Sequence, residues 1–110
     1  MEINHEYVDV QDALNRIGGS MDLYKKLLNQ FMTGNYIDPL EEALNAGEMQ
    51  EASHLAHTLK GVAGNLSLVM LAADARKLED DVKNSVDHTN SLAELKSAYS
   101  TTSQEISKIL

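Results

Sequence analysis

The sequence predicts an all-α protein, an up-and-down antiparallel four-helix bundle with an extra short helix at the N-terminus. Three observations predict it. Apolar residues recur at three- and four-residue spacing along most of the chain, the period of a helix with one buried face. There is a single proline and few runs of β-branched residues, as helices rather than strands require. The stretches between periodic segments are short, and short connections make neighbouring helices antiparallel.

Residues 1–8 read as a loose lead-in. Asp9 can cap a short helix bearing Val10, Ala13, Leu14 and Ile17, which Gly18 and Gly19 end. Ser20 caps the next helix, whose buried stripe is Leu23, Leu27, Leu28 and Phe31. Gly34 and Pro39 interrupt the pattern before Leu40, Ala43 and Leu44 resume it as far as Gly47. One bent helix and two separate helices both fit that interruption. A central helix runs from about Glu48 to Leu66, with a turn near Ser67, and a partner carries Leu68, Leu71, Ala72, Ala75, Leu78 and Val82. The last helix, from Asn90, puts Leu92, Leu95, Tyr99, Ile106 and Ile109 on one stripe, with Thr102 and Ser103 as a polar gap. The 110 residues suffice for one core, so residues 1–110 are read as a single domain.

Composition narrows the function. A net charge of −8 repels a nucleic-acid backbone. The absence of cysteine removes disulfides and thiolate metal sites. No apolar run approaches the roughly 20 residues of a membrane span, and the start lacks the blocks of a signal peptide. The expectation is a soluble, cytoplasmic monomer without membrane insertion.

Residues 52–66 carry the chemistry. Plotted at roughly 100° per residue, Ala52, Leu55, Leu59, Val62, Ala63 and Leu66 fall on one side of the helix and His57, Lys60, Gly61 and Gly64 on the other. The second face therefore offers water an imidazole, an ammonium and two positions without side chains. Each glycine costs the helix about 1 kcal/mol relative to alanine, a cost explained if a partner must come close. In an antiparallel hairpin turning near residue 68, Glu79 is level with His57. Its carboxylate can accept the Nδ1 proton and leave Nε2 free to attack. Lys60 can meet the oxygens of an incoming phosphoryl group as a mobile charge. Arg76, one turn before Glu79, can add a second cation, although spacing leaves its direction open.

Ala56-His57-Thr58-Leu59-Lys60-Gly61, then Ala63-Gly64-Asn65-Leu66 and Leu78-Glu79, resemble the signature of histidine-containing phosphotransfer (HPt) domains. The segment from Leu14 to Phe31 is similar to the one these domains carry ahead of the motif, so the resemblance spans roughly residues 8 to 100. It implies that His57 accepts and donates a phosphoryl group, that Lys60 and Gly61 support it, and that Glu79 orients the ring. Response-regulator receiver domains are expected to dock on the face holding Gly61, Gly64, Ser53, His54 and Arg76, with a sensor or hybrid histidine kinase as the source of phosphate. Mg²⁺ would come from the receiver, with no cofactor bound by this domain. Ser67 departs from the family, which commonly has glycine at that turn.

Blander readings are weaker. A histidine on an amphipathic helix is usually an idle surface residue, but His57 has Lys60, two glycines and an acid for company. His54, about 60° around the helix, is the alternative acceptor, whereas His5 and His88 read as solvated. Glu51 and His54 match the Glu-x-x-His spacing of di-iron bundles, but no second such pair exists. No zinc-helix spacing occurs, so no metal is expected. Met21, Met32, Met49 and Met70 read as filler or helix-edge contacts. With no Gly-rich phosphate loop, ATP-dependent kinase activity is not expected. An adaptor that binds receivers without being phosphorylated is the rival function.

Overall fold

The computed structural model describes residues 2–110, all-helical among the described residues. Six helices succeed one another among them: α1 (Val10–Arg16), α2 (Met21–Thr33), α3 (Ile37–Asn45), α4 (Met49–Asn65), α5 (Val69–Lys83) and α6 (Thr89–Ile109). They form four rods plus the expected extra helix α1. α4, α5 and α6 are three of the rods, with α5 packed on both neighbours. α2 and α3 lie end to end along α4 as the fourth. Tyr24 of α2 donates its hydroxyl to the Leu66 carbonyl at the end of α4, while Glu42 and Ala43 of α3 share a hollow with Glu51 and Leu55 near its start.

The interruption in this rod is a break between two helices. Phe31 stacks on Tyr36 with ring centroids 5.2 Å apart, folding the chain back over Gly34, where a Cβ would come within 2.8 Å of the Tyr36 ring. Asn35 then accepts a hydrogen bond from the Asp38 amide. Pro39 falls in the first turn of α3, where a helix needs no N–H. Asp9 and Ser20 cap α1 and α2 as expected, accepting from the amides of Asp12 and Leu23.

The core runs the length of the bundle and includes Leu28, Leu40, Leu59, Leu68, Leu71, Leu78, Leu95 and Ile106, all fully buried. Some expected core positions differ. On α2, Leu28 and Phe31 are buried as expected, but Tyr24 is buried with them and Leu23 is 42% exposed. Burial, helped by the charges of Asp9 and Asp12, pushes the Tyr24 hydroxyl up to about 12, so it remains a donor to Leu66. On α6, Thr102 is buried with its Oγ1 unpartnered among the described residues, so it belongs to the core stripe and is no gap in it. Of the methionines within helices, Met21 and Met49 are exposed and Met32 and Met70 half-buried.

The lead-in also differs from expectation. Met1 lies outside the described residues, but the remainder of the segment is anchored rather than loose. The amides of Tyr7 and Val8 donate to the Asn4 carbonyl, Val69 donates to the Tyr7 carbonyl, and Asp9 donates to the carbonyl of Ser67. Val8 is fully buried. The Asn4 amide donates to Glu105 Oε1 at 2.6 Å. A segment held by backbone groups leaves no apolar period in the sequence.

The bonds of Tyr7 and Asp9 reach the α4–α5 turn. Ser67 there has φ +56°, the left-handed conformation that favours glycine. Its buried hydroxyl donates to Asp12 Oδ2 at 2.7 Å, which offsets part of the backbone cost. The turn keeps a sharp geometry with serine in a glycine's place.

Candidate functional site

The site is built on the α4–α5 hairpin. α4 buries Ala52, Ala56, Leu59 and Ala63, and α5 answers with Leu71, Ala75, Leu78 and Val82. Small residues in this seam let the two backbones approach closely. The Glu79 side chain can therefore bridge from α5 to α4.

His57 projects outward with its side chain 62% exposed, while that of Glu79 is only 3% exposed. Their atoms Nδ1 and Oε2 are 3.0 Å apart. Lys60 Nζ reaches the other carboxylate oxygen, Oε1, at 2.9 Å. Lys83, one turn further along α5, places Nζ 2.9 Å from Oε2. Burial on its own raises the Glu79 carboxyl, but hydrogen bonds from Lys83 and Lys60, and their charges, outweigh it and hold the group at about 2. The ionised carboxylate can only accept. In the neutral ring Nδ1 is then the donor, and Nε2 carries the exposed lone pair.

Gly61 is exposed and Gly64 half-buried on the same side of α4. A Cβ at either would meet nothing within 4 Å. Neither glycine is required by packing inside the chain. What they do is leave the surface beside His57 low enough for another backbone to approach.

The structure separates the remaining residues. His54 is exposed and, among the described residues, has no side-chain partner to fix its tautomer; Ser53 is half-buried one turn before His57. Lys60 points at Glu79 and does not extend freely into solvent. Arg76 is exposed and makes no ion pair among the described residues. The second cation on Glu79 is Lys83, a residue the motif reading missed, although Glu79 and Lys83 have the i, i+4 spacing of helical ion pairs. Among the described residues no group of three or more histidine, cysteine, aspartate or glutamate side chains is placed to hold a metal ion. None of the helices is long and apolar enough to cross a membrane.

A model of the Hpt domain family matches residues 27–105, the span from the middle of α2 to the last turns of α6. The chain belongs to the Hpt domain family, whose members are phosphotransfer modules of two-component signalling, distinct from kinases, that interact with receiver domains and kinases. No curated protein and no solved structure matches it.

Proposed function

We propose that the chain is a phosphorelay intermediate, a single domain over residues 1–110 in which His57 is the phosphoacceptor. Nε2 of His57 attacks the phosphorus of a receiver's aspartyl phosphate in line. The N–P bond forms as the acyl P–O bond breaks, and the aspartate leaves as a carboxylate. The Nδ1 proton stays on the ring, hydrogen-bonded to Glu79. The reverse step passes the group to an aspartate of the same or another receiver. Such transfer depends on positioning and charge stabilisation. The receiver supplies Mg²⁺, and this domain binds no cofactor of its own.

The observation carrying this reading is the exposed imidazole held at Nδ1 by a buried, ionised carboxylate. Docking is supported by the bare surface at Gly61 and Gly64. It is supported also by a shallow apolar hollow of about 400 Å³ between α2 and α4, lined by Ile17, Leu27, Phe31, Tyr36 and Val62 among others. Every group of the site comes from one chain, which supports a monomer.

The test is incubation with a phosphorylated receiver and Mg²⁺. The expected result is an acid-labile, alkali-stable label on the wild-type chain and none on His57→Gln. A chain that binds the receiver but takes no label would be an adaptor, and the proposal would fall.

A further inference from the structure

Lys83 lies outside the motif read from the sequence, yet it shares one carboxylate oxygen with His57. Both Lys83 Nζ, at 2.9 Å, and His57 Nδ1, at 3.0 Å, contact Oε2 of Glu79. An exposed i, i+4 ion pair on a helix normally contributes little. Lys77 and Glu94 illustrate how little an exposed pair is held, since their side chains are 55% and 51% exposed. Lys83 is also exposed, but its acid is buried. A cation fixed on a buried carboxylate acts at short range on whatever else that carboxylate holds.

A lone carboxylate beside an imidazole favours the charged ring. Glu79 is not alone, because Lys60 neutralises it from Oε1 and Lys83 from the oxygen that His57 uses. With two ammonium groups on one carboxylate, a proton added to His57 would make a third positive charge around a single negative one. We infer that Lys83 is a positioning residue: by sharing Oε2 with His57 it makes Glu79 an anchor for the ring rather than a counter-ion for an imidazolium, keeping Nε2 unprotonated. The functional meaning of this rests on His57 being the phosphoacceptor.

The other charged groups near the ring do not replace Lys83. On α4, His54 and Glu51 are exposed and bond to neither His57 nor Glu79. On α5, Arg76 and Asp80 are exposed and outside the cluster. The other rod along α4 is α2 with α3: Asp22, Lys25 and Lys26 of α2 are exposed and bond to neither His57 nor Glu79, and α3 brings Glu42 to the hollow beside Glu48, Glu51 and Leu55, apart from that pair.

The experiment is an NMR titration of the His57 ring in wild type, Lys83→Met, Lys83→Arg and Lys77→Met, with thermal unfolding as a check on folding. In Lys83→Met the titration midpoint should move up by about half a pH unit. Lys83→Arg should return it to the wild-type position, and Lys77→Met, which removes the same charge elsewhere on α5, should not move it. Phosphotransfer by Lys83→Met should fall about threefold at the acid end of its pH profile and match wild type at the alkaline end. The inference is overturned if Lys83→Met titrates as wild type, if Lys77→Met shifts the midpoint as far, or if Lys83→Arg behaves like Lys83→Met. The titration needs no receiver and no phosphate. Failure of labelling with the midpoint shift intact would therefore count against the phosphoacceptor reading alone.

Discussion

Among the described residues two glutamates lie buried, and they have different uses. Glu105 of α6 accepts the Asn4 amide on Oε1 and pairs with Lys108 through Oε2. Both partners are fastened by the contact, and the product is a tethered N-terminal segment. Glu79 of α5 takes two lysines and one ring nitrogen. The ring it holds keeps a second nitrogen in solvent. A buried carboxylate is thus no mark of a site by itself. The mark is a partner that, once fixed, still has a reactive atom facing outward.

The largest effect that should separate the two regions comes from Gly61→Leu. The added side chain has open space within the chain, so the melting temperature should stay near wild type. Transfer from a phosphorylated receiver should fall by roughly a hundredfold, because a small misplacement of reacting atoms is that costly. An unchanged rate would remove the argument for close approach. Glu79→Ala should slow transfer by about tenfold or more, the usual range for losing an orienting partner, while receiver binding persists. Equal rates in mutant and wild type would refute the orienting bond.

Glu105→Gln is the counterpart. It should leave transfer at the wild-type rate and lower the melting temperature by a few degrees, with Asn4 losing a charged acceptor. Acid sharpens the contrast. The folded-state value of Glu79, about 2, lies below its ordinary 4.5. Its contribution to stability is therefore present above 4.5 and is lost as pH falls toward 2. Urea unfolding of wild type and Glu79→Gln should differ at neutral pH and converge across that window.

Ser67→Gly should have the smallest effect, within about 1 kcal/mol of wild type. Glycine relieves the positive φ but gives up the hydrogen bond to Asp12, and the two terms are of similar size. A large loss by thermal unfolding would mean that the serine hydroxyl, more than the backbone shape, holds the turn.

Much of this was readable from residue spacing. Glu79 emerges from counting back from the turn, since a tight antiparallel hairpin leaves little freedom of register. Asp9 and Ser20 announce their helices by local chemistry. Other positions depend on partners far away in sequence. Tyr24 takes the core site in place of Leu23 because its hydroxyl finds the Leu66 carbonyl 42 residues on, which no helical period encodes. The segment before α1 is ordered through backbone bonds to Ser67 and Val69, and backbone groups have no sequence signature. Arg76 and Lys83 both lie within about a turn of Glu79, and only the packed hairpin distinguishes them. Lys83 contacts the carboxylate and Arg76 remains in solvent.

The most direct measurement compares wild type, His57→Gln and His54→Gln, each incubated with a phosphorylated receiver and Mg²⁺ and assayed for an alkali-stable, acid-labile phosphoryl group. Wild type and His54→Gln should label fully and His57→Gln not at all. Labelling of His57→Gln at the wild-type level would contradict the assignment of His57 as phosphoacceptor.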